Sequence, residues 1–135
     1  MQYFVTGATG FIGRFLVGEL LKRPQARVFA LVRKGSEGKL DEVREGLGAT
    51  AEQLVAVHGD LTRAGLGLDD STLASLAGHV DHFFHLAAIY DLKADAQSQL
   101  RTNLEGTRNA LDAAAALKAG CFHHVSSIAA AGTYD

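Results

Sequence analysis

A chain of 135 residues, 47% of them hydrophobic, is long enough to bury one core and too apolar to be disordered, so it needs no metal ion or disulfide as a staple. The formal net charge of −2, with basic and acidic residues interspersed, argues against a nucleic-acid partner. The single cysteine, Cys121, excludes an internal disulfide and favours a reducing compartment, so we expect the cytoplasm. No apolar stretch has the length of a transmembrane segment or the character of a signal peptide.

The chain begins with a predicted strand, a glycine-rich turn and a helix. The strand covers residues 2–6, and the helix runs to about residue 22. Its predicted apolar stripe consists of Phe15, Leu16, Leu20 and Leu21. The turn between them carries glycines in the spacing G-x-x-G-x-x-G within Thr6-Gly7-Ala8-Thr9-Gly10-Phe11-Ile12-Gly13.

That glycine spacing indicates a dinucleotide site when a strand precedes it and a helix follows it. Gly7 permits the tight turn, Gly10 lets backbone N–H groups approach a pyrophosphate, and Gly13 lets the helix pack closely on the strand. The helix N-terminus then faces the phosphates with free N–H groups and its positive dipole end. The alternative is a glycine-rich turn without a ligand.

Strands and helices continue to alternate along the rest of the chain. Further strands are predicted at residues 27–33, 53–58, 80–86 and 122–126. Helices are predicted at 39–47, from Asp70 or Ser71 to about 77, and at 94–118, with Gly120 as the final stop. The long helix has an apolar stripe that includes Leu100, Leu104, Thr107, Leu111, Ala114 and Leu117.

This alternation predicts an α/β fold, a doubly wound parallel sheet of the Rossmann type. The five strands should lie in the order 3-2-1-4-5, with the sheet incomplete on its C-terminal side and one domain over residues 1–135. The ligand crevice is expected where the order reverses, between strands 1 and 4.

Two cations follow the second strand, where a dinucleotide fold contacts the adenosine ribose. Arg33 and Lys34 stand there, and no carboxylate does. A carboxylate would favour NAD, whereas cations suit the additional 2′-phosphate of NADP(H). The alternative is a solvated basic loop. Arg14 either reaches the same phosphate or lies exposed on the surface.

The ends of the third and fourth strands supply further candidates. Asp60 follows the third strand and can accept from the adenine amino group, with Leu61 packing on the ring. Asp60 could instead simply cap the following loop. Ala87 and Ala88 follow the fourth strand, where small residues let the backbone pass close to a ligand.

Five motifs together resemble the extended short-chain dehydrogenase/reductases. They are the glycine turn, Gly59-Asp60-Leu61, residues 85–88, Asn103-Leu-Glu-Gly-Thr107 and His124-Val-Ser-Ser127. Within that family, residues 82–91 and 122–132 are most similar to the N-terminal part of bacterial alcohol-forming fatty acyl-CoA reductases. The resemblance implies hydride transfer from NADPH to a thioester carbonyl, giving an aldehyde or an alcohol.

The resemblance also implies roles for individual residues. Ser127 matches the catalytic serine that binds the reacting carbonyl oxygen, and Asn103 matches the helix asparagine that supports the active site. Ser126 and Tyr90 would line the nicotinamide side of the site. The cofactor would be held by Thr6, Gly7, Thr9, Gly10, Phe11, Ile12 and Gly13. A serine pair at a strand end is otherwise ordinary turn chemistry.

The sequence differs from the family pattern because it lacks the residue pair that donates the proton. The tyrosine and lysine of the Tyr-x-x-x-Lys pair are absent from these residues, and Tyr90 has its lysine three positions on rather than four. We expect them in a C-terminal part of the same enzyme, and we expect the 135 residues alone to give no turnover. A nucleotide-sugar epimerase or dehydratase, or a non-catalytic NADP-binding sensor, remains open.

The histidines do not predict a metal site. His82 and His85 lie three apart in a strand, so they point to opposite faces, and the neighbours His123 and His124 do likewise. Cys121 is expected to be a small buried hydrophobe rather than a nucleophile.

Overall fold

The computed structural model describes residues 1–8, 11–33, 35, 37–60, 63–86 and 96–124, with only the backbone for 11, 12, 64 and 96–103. It contains one five-stranded sheet in the order β3-β2-β1-β4-β5. Every neighbouring pair is parallel. The predicted doubly wound α/β architecture and its strand order are therefore confirmed.

The helices and strands alternate as predicted, with shifts of a few residues at their ends. The strands are β1 (Gln2–Thr6), β2 (Arg27–Val32), β3 (Leu54–His58), β4 (His82–His85) and β5 (Cys121–His124). The helices are α1 (Phe11–Leu21), α2 (Glu37–Leu47), α3 (Asp70–Leu76) and α4 (Ala96–Ala116), with a 3₁₀ turn at Ala64–Gly67. No helix in the described ranges is long and apolar enough to cross a bilayer.

Three predicted details at the helix and strand ends are wrong. Asp69, not Asp70 or Ser71, caps α3, because its carboxylate accepts the Thr72 N–H at 2.7 Å. The chain leaves α4 through Lys118 in the left-handed region, φ 55°, before it reaches Gly120. Cys121 is exposed rather than buried, because it begins the edge strand β5.

The sheet separates two apolar cores. Alternation along β1 places Tyr3 and Val5 in the core under α1 and α2, and Phe4 in the core under α3 and α4. In the second core Phe4 stacks on Phe83 at 4.8 Å between ring centroids, and Phe83 stacks on Phe122 at 5.4 Å. These aromatic contacts across three adjacent strands hold β1, β4 and β5 together.

In both helices, large apolar residues of the predicted stripe are exposed instead of buried. On α1, Phe15 is 73% exposed while Val17 is fully buried. On α4, Leu104 and Leu111 are 62% and 48% exposed. The buried face of α4 instead carries Ala110, Ala113 and Ala114, followed by Leu117 beyond the helix end. Small side chains let the helix lie close to the second core. Of the predicted stripe, Ala114 and Leu117 are therefore buried as expected, whereas Leu104 and Leu111 are not.

Helix α1 lies against the turn that follows β1. Gly7 adopts a left-handed conformation, φ 80°, which favours glycine. A Cβ at Gly13 would collide with the carbonyl oxygen of Gly7 and would lie 2.8 Å from Cα of Ala8. The close packing predicted for Gly13 is therefore present, and it is a contact between backbones.

We expect Gly13→Ala to lower the free energy of unfolding by about 1–3 kcal/mol, because the methyl group would force α1 away from the turn. Gly46→Ala is the matched control, since Gly46 also lies in a helix but has open space around its Cβ position. In that control the free energy of unfolding should rise by up to about 1 kcal/mol, because alanine favours the helix more than glycine does. Urea denaturation measures both, and equal stabilities for the two variants would contradict the close contact.

Candidate functional site

Because all five strands are parallel, their carboxyl ends meet at one edge of the sheet. Gly7 follows β1 there, Arg33 follows β2 and Leu86 follows β4. The N-terminus of α1 starts from the same edge at Phe11, directly after the glycine turn. The sheet thus brings the predicted cofactor-binding segments to one side of the molecule.

A cavity of about 440 Å³ opens where β2 and β3 end. Arg33 and Asp60, two residues predicted to bind the adenosine part of the cofactor, both line it. Arg63 lines it as well and was missed by the sequence argument. The signal was present, because Arg63 stands only three residues after Asp60. Two guanidinium groups and the Asp60 carboxylate therefore line one cavity, together with His58 and the carboxylate of Asp69.

The loop that carries Asp60 and Arg63 is tightly folded. The Asp60 N–H donates to the carbonyl oxygen of Leu66 at 2.7 Å, and the Arg63 N–H donates to the carbonyl oxygen of Asp60 at 3.1 Å. Leu66 is fully buried although its φ of 64° is unfavourable for a side-chain-bearing residue. Gly59 has no room for a Cβ, which would lie 2.6 Å from the Leu66 carbonyl oxygen. Backbone hydrogen bonds and burial thus set the positions of Asp60 and Arg63.

Two other carboxylates near this end of the sheet are engaged in local hydrogen bonds. Glu37, at the start of α2, accepts the Gly35 N–H at 3.0 Å and lies 2.8 Å from Nε2 of His58. The backbone N–H of Glu37 and the His58 side chain lower its pKa. At Asp69 the Thr72 N–H lowers the carboxyl pKa. Both groups are therefore anions with hydrogen-bond partners.

A buried polar pair lies beneath the glycine turn. Oγ1 of Thr6 is 2.8 Å from Nδ1 of His85 and also accepts the backbone N–H of Leu86 at 3.2 Å. Both side chains are buried, with 0% and 1% exposure. Burial, together with repulsion from His124, lowers the pKa of His85 from 6.5 to about 4. His85 is therefore neutral at physiological pH and ties β4 to β1 just where the crevice opens.

Several predicted site residues lie outside the described part of the chain, namely Thr9, Gly10, Lys34, Leu61, Ala87, Ala88, Tyr90, Ser126 and Ser127. For Phe11, Ile12 and Asn103 the description covers the backbone, in the first turn of α1 and within α4. Arg14 lies exposed on α1. The site as described thus consists of the glycine turn, the adenosine-side cavity and the Thr6–His85 pair.

Comparison with known proteins identifies the family. The family described as male sterility protein, a group of NAD-binding extended short-chain dehydrogenase/reductases, matches residues 5–135. The chain belongs to this family. The match covers the NAD-binding model of that family over nearly the whole chain.

Individual relatives agree with this assignment. The chain is 36% identical over 137 residues to the L-2-aminoadipate reductase large subunit of Penicillium chrysogenum, which covers 94% of the chain and 10% of the relative. It is 30% identical to the terminal R domain of the myxalamid PKS-NRPS biosynthetic pathway, with a TM-score of 0.75 over 94% of the chain and 34% of that structure. A UDP-glucuronic acid 4-epimerase from Bacillus cereus in complex with NAD is 27% identical, with a TM-score of 0.69 over all of the chain and 43% of that structure.

The chain thus spans about a third of the solved R domain and a tenth of the aminoadipate reductase subunit. The family assignment therefore concerns the nucleotide-binding portion that these proteins share.

The Thr6–His85 pair predicts a pH dependence of stability. Between pH 6.5 and about 4 the unfolded chain binds a proton at residue 85 while the folded chain does not, so stability should fall as the pH decreases through this window. The loss should reach up to about 3 kcal/mol. His85→Asn should flatten that slope, whereas the exposed His79→Asn should retain it. Urea denaturation at several pH values measures the slope, and an unchanged slope in His85→Asn would refute the assignment.

Proposed function

We propose that this chain is the NADPH-binding part of a reductase that acts on acyl thioesters. The observation that carries the proposal is the edge of the sheet where the glycine turn, the N-terminus of α1 and the cavity of Arg33, Asp60 and Arg63 meet. An elongated dinucleotide needs those features in that order, with phosphates at the helix and adenosine at the ends of β2 and β3.

The described residues fit such a cofactor. Gly7 adopts a left-handed conformation and Gly13 lets α1 lie directly against the turn, so the helix N-terminus stands at the end of β1, where a pyrophosphate would bind. Asp60 would accept from the adenine amino group, with Leu61 against the ring. Thr6, Thr9, Gly10, Phe11 and Ile12 complete the proposed phosphate cradle. When bound, the nicotinamide supplies the hydride.

The choice of NADPH over NADH depends on positive charge at the end of β2. Arg33 and Arg63 line the same cavity, and Lys34 follows Arg33 in the chain. Guanidinium groups bind phosphate oxygens through paired hydrogen bonds, which suits a 2′-phosphate. Glu37, the carboxylate four residues after Arg33, already binds Gly35 and His58, so it does not replace the missing ribose acceptor.

We expect Arg33→Ala and Arg63→Ala each to weaken NADPH binding by about three- to tenfold and to leave NADH binding within about twofold, because only NADPH carries the 2′-phosphate. Fluorescence titration of each cofactor measures the dissociation constants. Arg23→Ala is the matched control, since Arg23 is an exposed arginine that precedes β2 at the other end of the strand. Equal losses for NADPH and NADH would reject the phosphate contact.

The reaction is proposed from the resemblance and from the relatives. Ser127 would donate a hydrogen bond to the thioester oxygen and stabilise its developing negative charge, while Asn103 supports the site from α4. Ser126, Tyr90, Ala87 and Ala88 would surround the nicotinamide. Collapse of the reduced thioester would release the thiol and give an aldehyde, and a second reduction would give an alcohol.

The proposal also concerns the group that carries the acyl chain, which is either coenzyme A or a carrier protein. The resemblance of residues 82–91 and 122–132 favours a fatty acyl-CoA, whereas one relative is a terminal R domain of a PKS-NRPS pathway. The thioester carbonyl is the same in both cases. Because the chain spans about a third of that R domain, we propose that the tyrosine and lysine acid pair belong to a further C-terminal part.

We expect the gene product that contains this chain to oxidise NADPH when a fatty acyl-CoA is added, and the 135 residues alone to bind NADPH without turnover. Absorbance of the reduced nicotinamide follows the reaction, with an acyl-carrier-protein thioester tested in parallel. If NADPH is oxidised with the acyl-carrier-protein thioester but not with the acyl-CoA, the thioester reaction is supported and acyl-CoA is rejected as the substrate.

The similarity to the UDP-glucuronic acid 4-epimerase favours one second candidate, a nucleotide-sugar epimerase. Sugar interconversion with retained NAD, and no NADPH oxidation with either thioester, would support that enzyme instead.

A further inference from the structure

Three metal-binding side chains converge at the amino ends of β4 and β5. Nδ1 of His82 lies 3.1 Å from Nε2 of His123. Sγ of Cys121 lies within 4.8 Å of a ring nitrogen of each histidine. The two histidines are partly buried and the cysteine is exposed, so the cluster can be reached from solvent.

The parallel register explains this convergence. His82 pairs with Cys121, and Phe84 pairs with His123. Residues two apart in a strand share a face, so Cys121 and His123 point to the same side of the sheet as His82. Alternation within β4 separates His82 from His85, as predicted. The ligand set forms across β4 and β5 through their pairing, so neither strand shows it by itself.

The distances suit one cation of the zinc class. Bonds of about 2.0–2.1 Å in a tetrahedral zinc site place two nitrogen ligands about 3.3 Å apart, close to the separation of the two rings. When the two rings form a hydrogen bond, one proton lies between the two nitrogens. A metal cation can replace that proton and bind both nitrogens. A thiolate as third ligand selects borderline metals such as Zn²⁺ and Co²⁺ over Mg²⁺ or Ca²⁺.

Neighbouring residues hold the two imidazoles in position. Tyr3 stacks on His82 at 5.7 Å between ring centroids, and Phe84 stacks on His123 at 4.5 Å. The carboxylate of Asp81, next to His82, accepts the Gln2 N–H at 2.8 Å. The ligand set in the described part of the chain is therefore two imidazoles and one thiol.

We propose that His82, Cys121 and His123 bind one zinc-class divalent cation, with water in the fourth position. The cluster lies at the amino ends of the strands, whereas the glycine turn and the Arg33 cavity lie at the carboxyl ends. It is thus separate from the proposed cofactor site. The metal would join the edge strand β5 to β4 and would keep one coordination position open to water.

Co²⁺ titration of the tag-free 135-residue chain tests the proposal. We expect one equivalent to bind, with the visible ligand-field bands of a tetrahedral site and a thiolate-to-cobalt charge-transfer band in the near ultraviolet. Zn²⁺ should displace the Co²⁺ and remove both bands. Absence of the charge-transfer band at saturating Co²⁺ would overturn the proposed site.

Substitutions locate the binding. His123→Gln and Cys121→Ser should each weaken Co²⁺ binding by at least about tenfold, and Cys121→Ser should also remove the charge-transfer band. His124→Gln is the matched control, because His124 adjoins His123 but stacks on His85 on the other face of the sheet. A similar loss in all three variants would place the metal elsewhere.

Thiol reactivity gives a second test that needs no substitution. Cys121 is the only cysteine of the chain and is exposed, so alkylation reports on it alone. Zn²⁺ should slow alkylation by at least about tenfold, and EDTA should restore the original rate. An unchanged rate in saturating Zn²⁺ would overturn the proposal even if the histidine variants fail to fold.

Discussion

The contact between the backbone of α1 and the turn after β1 is the constraint on which the cofactor-binding edge depends. With only a hydrogen atom at Gly13, the helix lies directly against the Gly7 carbonyl. That approach sets the start of α1 at the end of β1 and brings the helix N-terminus to the edge of the sheet. A side chain at position 13 would separate the helix from the turn and displace this N-terminus, which we propose to face the phosphates.

Parallel pairing then decides which residues share the two ends of the sheet. The carboxyl ends collect the glycine turn and a polar cavity lined by Arg33, Arg63, Asp60 and Asp69, the edge that we propose as the dinucleotide site. The amino ends of β4 and β5 collect His82, Cys121 and His123 on one face. Parallel pairing thus produces two chemically different groups of side chains on the same sheet.

A buried polar pair joins the ends of β1 and β4. Thr6 and His85 are buried at the ends of β1 and β4, and each supplies the other with a partner that water would otherwise provide. The aromatic stack of Phe4, Phe83 and Phe122 lies on the same face, one step nearer the amino ends. The strands around the predicted crevice are therefore joined by both packing and hydrogen bonding.

The sequence by itself determined the order of strands and helices, the glycine turn and the family, because hydrophobic periodicity and motif spacing are local properties. It also brought Arg33 and Asp60 into one predicted site, since the ends of adjacent parallel strands must be neighbours. Only the tertiary structure decided which face of α4 is buried, that Arg63 joins the cavity, and that Cys121 meets His82 and His123. The buried face of α4 and the cluster of His82, Cys121 and His123 depend on helix rotation and strand register, which bring together residues far apart in the chain. Arg63 stands only three residues after Asp60, but its place in the cavity depends on how that loop closes.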